Sequence, residues 1–189
     1  MAWYLIMGFA FLLIAAAEIG DKSQIMTISL ASKYHNQSVF WGVFLGMGVI
    51  TALGVIVGTV LYSIIPVFYV KILAGLIFIS FGIYSFYKEE KEREKDISKE
   101  DVFKRSFGLS LVAELGDKTQ FAVIALTARF QAPEHVLIGS LAGLALVIGL
   151  GVFLGSKIAE IVEKDYIDLA SFVIFIILGI VFILEPIFF

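Results

Sequence analysis

The sequence predicts an all-α membrane protein of six transmembrane helices, arranged as two inverted three-helix repeats. Three observations predict it. The chain is 60% hydrophobic with a mean hydropathy of +0.98, more apolar surface than a soluble domain of 189 residues can hide. Apolar runs long enough to cross a bilayer, about 20 residues each, occur six times. The heptad Glu18-Ile19-Gly20-Asp21-Lys22-Ser23-Gln24 returns as Glu114-Leu115-Gly116-Asp117-Lys118-Thr119-Gln120.

The six runs are Trp3–Ser32, Val39–Ile64, Val67–Tyr87, Ser106–Phe130, His135–Ile158 and Tyr166–Ile187. The first resembles a signal peptide at Ala15-Ala16-Ala17, but it lacks a basic n-region and recurs in mid-chain, so retention is expected. As one helix it would extend ~45 Å, against a hydrocarbon core of ~30 Å. Aromatic residues near the run ends (Trp3, Tyr4, Tyr34, Trp41, Tyr62, Tyr69, Tyr87) suit membrane interfaces, although aromatics are common throughout. Between the third and fourth runs, Lys88–Arg105 carries seven basic and seven acidic residues, the composition of a solvated linker. Ser98 and Asp101 could cap the helix after it. The expected organisation is residues 1–88 as the first repeat, 89–105 as a charged linker and 106–189 as the second repeat.

Duplication extends beyond the heptads. Glu18, Asp21, Lys22 and Gln24 match their counterparts at an offset of 96. At an offset of 97, Gly42, Gly46, Gly54, Gly58 and Gly82 fall on Gly139, Gly143, Gly151, Gly155 and Gly179. Small residues four apart let membrane helices approach closely, a structural role. Three helices per half is odd, so the second half must enter the membrane upside down, as in many secondary transporters. One set of loops collects ten basic residues and the other two, Lys71 and Arg129. The positive-inside rule then puts the 88–105 loop in the cytoplasm and both termini outside, in a cell (inner) membrane.

Charges near the middle of a span cost at least ~2.5–3.5 kcal/mol each, so the six in the two motifs need a reason. On a continuous helix, Glu18, Asp21 and Lys22 fall within an arc of about 100°, which Gln24 widens to about 160°. Inversion would bring two such stripes together at the midplane. Four carboxylates, the carbonyls of Gln24 and Gln120, and the hydroxyls of Ser23 and Thr119 are hard oxygen donors that suit Ca²⁺, Mg²⁺ or Mn²⁺. If Lys22 and Lys118 are charged, the pair of motifs carries a net charge that one divalent ion balances. Protons can replace that ion on crowded buried carboxylates. Lys22 and Lys118 stand four residues after Glu18 and Glu114, placed for ion pairs when the cation is absent. Gly20 and Gly116 could break their helices and free carbonyls as ligands. His35 reads as a loop residue and Met26 as packing.

Other chemistry is poorly supplied. There are no cysteines, hence no disulfide or thiolate metal site. Phosphate loops and dinucleotide fingerprints are absent, and no nucleic-acid partner or cofactor is expected. Ion pairs acting only as glue would leave two aspartates over. An intramembrane aspartyl protease needs a shared proton, which a lysine beside each aspartate opposes. An exporter of amino acids or other small organic solutes would need a roomier, less acidic site. A passive cation channel would hold ions weakly in charged rings. A homo-oligomer is compatible with the sequence.

Two copies of E-x-G-D-[KR]-[ST] in a six-helix chain resemble the MneA-like manganese exporters and the Golgi Gdt-type calcium/manganese–proton antiporters. The resemblance covers the whole chain and both motifs match. It implies a cation/proton exchanger, with Glu18, Asp21, Glu114 and Asp117 as cation-binding and proton-coupling groups. The compact size is similar to prokaryotic members, for which export of manganese from the cytoplasm is the implied role.

Overall fold

Long apolar runs interrupted by polar breaks give an all-helical protein in the computed structural model, which describes residues 2–87, 102–158, 169, 172, 173, 176, 177, 179–181, 183 and 184. The helices are α1 (Trp3–Glu18), α2 (Lys22–Lys33), α3 (Asn36–Ile64), α4 (Val67–Tyr87), α5 (Val102–Glu114), α6 (Lys118–Phe130) and α7 (Pro133–Ile158). The described residues from 169 to 184 are also helical. Most of the charged segment at 88–105 lies outside the described residues. Its last four positions, 102–105, already belong to α5, so that helix starts before the expected Ser106.

Asn36–Ile64 and Pro133–Phe153 are long and apolar enough to cross a membrane. Trp3–Glu18 with Ser23–Ser32 passes the same test as a pair, bent by 69°. This corrects the expectation of one straight first helix. The corresponding run in the second half is likewise split, into α5 and α6.

Polarity is distributed as lipid demands. Large apolar side chains face outward, among them Leu12, Leu53, Ile56, Val60, Val112 and Phe153. The buried set mixes Ile14, Val43, Val123, Leu126 and Leu144 with Glu18, Ser23, Thr27, Ser110, Glu114, Lys118 and Thr119. Polar groups in a bilayer have no water to satisfy them, so they turn to one another.

The glycines decide which helices touch. A Cβ on Gly42 would lie 2.7 Å from the Phe103 carbonyl oxygen of α5, and one on Gly58 would lie 2.7 Å from that of Ile124 in α6. In the second half, a Cβ on Gly143 would lie 2.7 Å from the Phe11 carbonyl oxygen of α1. Gly151 faces Gln24, Thr27 and Ile28 of α2. Helix α3 therefore packs along the broken pair α5 and α6 of the second half, and α7 along the broken pair α1 and α2 of the first. Gly179 approaches Gly75, where a Cβ on Gly75 would lie 2.6 Å from the Gly179 carbonyl oxygen.

Candidate cation site

Each heptad builds its own break. Ile19 adopts φ −64°, ψ 123° and Gly20 adopts φ 77°, while the Asp21 N–H donates to the Glu18 carbonyl at 3.2 Å. That is a type II turn, whose third residue must be left-handed and is therefore glycine. In the second copy Gly116 has φ 79° and the Asp117 N–H donates to the Glu114 carbonyl at 3.1 Å. Asp21 and Asp117 then stand extended as N-caps of α2 and α6. Neither makes the side-chain cap bond usual for aspartate there. Gln24 and Gln120 secure the turns: their Oε1 atoms accept the Gly20 N–H at 2.5 Å and the Gly116 N–H at 2.7 Å. In order, the heptad ends a helix, turns the chain, restarts it and clamps the turn.

The two breaks meet. Glu18 is 1% exposed. Its Oε2 accepts a hydrogen bond from the Ser23 hydroxyl at 2.6 Å, and its Oε1 accepts one from the Thr119 hydroxyl of the other copy. Lys118 Nζ pairs with Asp21 Oδ1 at 2.9 Å, both side chains 11% exposed. This corrects the expected Lys118–Glu114 pair. That expectation assumed i,i+4 geometry on one helix, but Glu114 ends α5 and Lys118 begins α6. The matching pair of Lys22 with Glu18 falls on a side chain outside those described.

One carboxylate oxygen from each of Glu18, Asp21 and Glu114 lies within 4.8 Å of the others. Asp117 is outside that group. Asp21 Oδ2 is buried and has no hydrogen-bond partner among the described residues, a costly state for a carboxylate oxygen unless something positive joins it. Of the four carboxylates singled out in the sequence, Glu18, Asp21 and Glu114 come together, and the Ser23 and Thr119 hydroxyls both reach Glu18. The sequence suggested Gln24 and Gln120 as ligands, whereas both oxygens here hold turns, each with a second lone pair remaining. His35 is exposed and Met26 packs against the core, as expected.

Sequence reasoning passed over Thr27 and Met47. Both are buried and line a small cavity beside Glu18, Ser23 and Gln24. Thr27 Oγ1 donates to the Ser23 carbonyl at 2.7 Å. The available signal was register: Met47 stands at the repeat position of Leu144, which lines the same cavity.

The sequence profile of the divalent cation/proton antiporter GDT1 family matches residues 6–93 and 102–187, nearly the whole chain. The chain belongs to the GDT1 family. It is therefore similar to membrane transporters and not to an enzyme family. Over 234 aligned positions it is 33% identical to a GDT1-like protein of Schizosaccharomyces pombe, covering 94% of this chain and 89% of that one. A GDT1-like protein of Synechocystis is 27% identical, with 90% and 92% covered. A candidate manganese exporter of Vibrio cholerae is 30% identical, with 78% and 74% covered. No solved structure matches the chain. Within the family frame, the two heptads are the broken, polar parts of an otherwise apolar helical body.

Proposed function

We propose that this GDT1-family protein exchanges a divalent cation, Mn²⁺ and/or Ca²⁺, for protons at one site shared by its two heptads, and exports Mn²⁺ from the cytoplasm. The observation that carries this is the meeting of Glu18, Asp21 and Glu114 oxygens within 4.8 Å. Carboxylates from both halves are thereby offered to one ion. Three such oxygens suit a hard or borderline divalent cation, and Asp21 Oδ2, which has no hydrogen-bond partner among the described residues, offers it a further ligand atom. Glu18, Asp21, Glu114 and Asp117 carry the cation and the coupled protons. Gln24 and Gln120 hold the breaks that aim them, with Ser23 and Thr119 orienting Glu18.

The architecture that fits this role is six spans in two inverted repeats, 1–88 and 106–189, joined by a cytoplasmic linker, with both termini outside. Reciprocal packing of α3 on α5 and α6, and of α7 on α1 and α2, supports it. Alternate exposure of the shared site would come from rocking one half against the other.

Transport by purified protein in proteoliposomes tests the reading. Under an imposed pH gradient, Mn²⁺ or Ca²⁺ flux is expected and disappears in Asp21→Asn and in Asp117→Asn. Apparent cation affinity weakens as pH falls, because binding displaces protons from the same carboxylates. Flux indifferent to the proton gradient, or intact in both variants, sinks the proposal.

A further inference from the structure

The cavity beside Glu18 has an uneven wall. Its polar floor is Glu18, Ser23, Gln24 and Thr27 from α1 and α2, and α7 closes it with aliphatic side chains including Leu144. The remaining wall is Met47 of α3, itself 3% exposed. The volume is about 10 Å³, room for roughly one water-sized occupant. Leu144 and Met47 are repeat equivalents at an offset of 97. The two halves thus bring the same position to one cavity, and one half supplies a hydrocarbon where the other supplies a thioether.

Packing alone does not call for sulfur there, since leucine of similar volume serves at the twin position. What the thioether adds is a polarizable lone pair. Oxygen ligands suit Mg²⁺, Ca²⁺ and Mn²⁺ alike and so do not rank them; a soft thioether is a poorer match for the closed-shell ions Mg²⁺ and Ca²⁺ than for Mn²⁺, a transition-metal ion. We propose that Met47 is a specificity-determining residue: from the cavity it shares with Glu18, the one carboxylate of the site that lines it, it biases the ion toward Mn²⁺ over Ca²⁺ and Mg²⁺ by offering a soft contact. The inference rests on the cation-site reading above and deepens it by ranking the cations. It also makes Cd²⁺, softer still, a competitor.

The test is Met47→Leu in the full chain, which installs the twin residue and conserves volume. Binding is measured on purified protein in detergent, Mn²⁺ by loss of the free-ion paramagnetic resonance signal and Ca²⁺ by isotope. Mn²⁺ affinity is expected to fall about tenfold, the low end for altering a supporting contact of a metal site. Ca²⁺ affinity keeps its wild-type value and Cd²⁺ competes less well. An unchanged Mn²⁺/Ca²⁺ ratio overturns the role of Met47 while leaving the carboxylate site standing, and so does an equal loss of both ions. Wild-type protein that binds neither ion overturns the site itself, and this inference with it.

Discussion

The contact between Lys118 and Asp21 joins the two halves through buried charge, and its removal has a calculable effect. At 2.9 Å, with an effective dielectric constant of about 20, the attraction is roughly 6 kcal/mol before desolvation is deducted. Desolvation cancels much of this, so the pair contributes little net stability compared with an apolar pair. Breaking it from one side is another matter. Lys118→Met strands Asp21, and Asp21→Asn strands the ammonium; each is expected to cost ~3 kcal/mol or more. The double variant removes both partners, and part of the loss remains because Lys118 also acts on the charges of Glu18 and Asp117. The double variant is expected to be more stable than the sum of the single losses predicts, by ~2 kcal/mol, at the upper side of usual coupling energies. Reversible unfolding of the four proteins in one detergent measures the cycle. Additivity within ~0.5 kcal/mol would refute the reasoning, because uncoupled groups behave that way.

The turns and the close helix contacts give further expectations. Gly58→Ala puts a methyl group 2.7 Å from the Ile124 carbonyl oxygen and is expected to cost ~1–3 kcal/mol of stability, read as a lower unfolding midpoint. Gly48→Ala, whose methyl would meet only Leu141 Cδ2 at 3.4 Å, serves as its tolerated control. Gly20→Ala forces a side chain into φ 77°, costing ~1–2 kcal/mol. It is expected to reduce cation binding more than Gly58→Ala does at matched stability, because it displaces Asp21 directly; equal effects would place the turn outside the site.

Much of this was legible in the residues. Duplicated Glu18/Glu114 and Asp21/Asp117, set in apolar runs, announced a polar site inside a membrane protein. Glycines four apart announced close helix contacts. Hydropathy cannot show where a helix stops, however, when the stop lasts only a turn. Gly20 and Gly116 hinted at it, but the left-handed turn had to be seen before Gln24 and Gln120 became clamps. The 100° arc and the Lys118–Glu114 pair both presumed unbroken helices and failed together for that one reason. Pairing of glycines across the halves was equally out of reach, because an internal offset shows which residues are equivalent and not which ones touch. Gly179 meeting Gly75, a residue that the offset does not pair with it, is the clearest case.

Reciprocal covering of the two halves bears on how the protein is made. Glu18 emerges from the ribosome long before Thr119, and α1 before the α7 glycines that will lie along it. Until α6 has been made, Glu18 lacks its Thr119 partner and Asp21 lacks Lys118. A chain truncated after α4 would leave those groups facing lipid or a chaperone. Maturation of the site thus waits for the second half, and a nonsense mutation before Lys118 removes the partners that α6 supplies to Glu18 and Asp21.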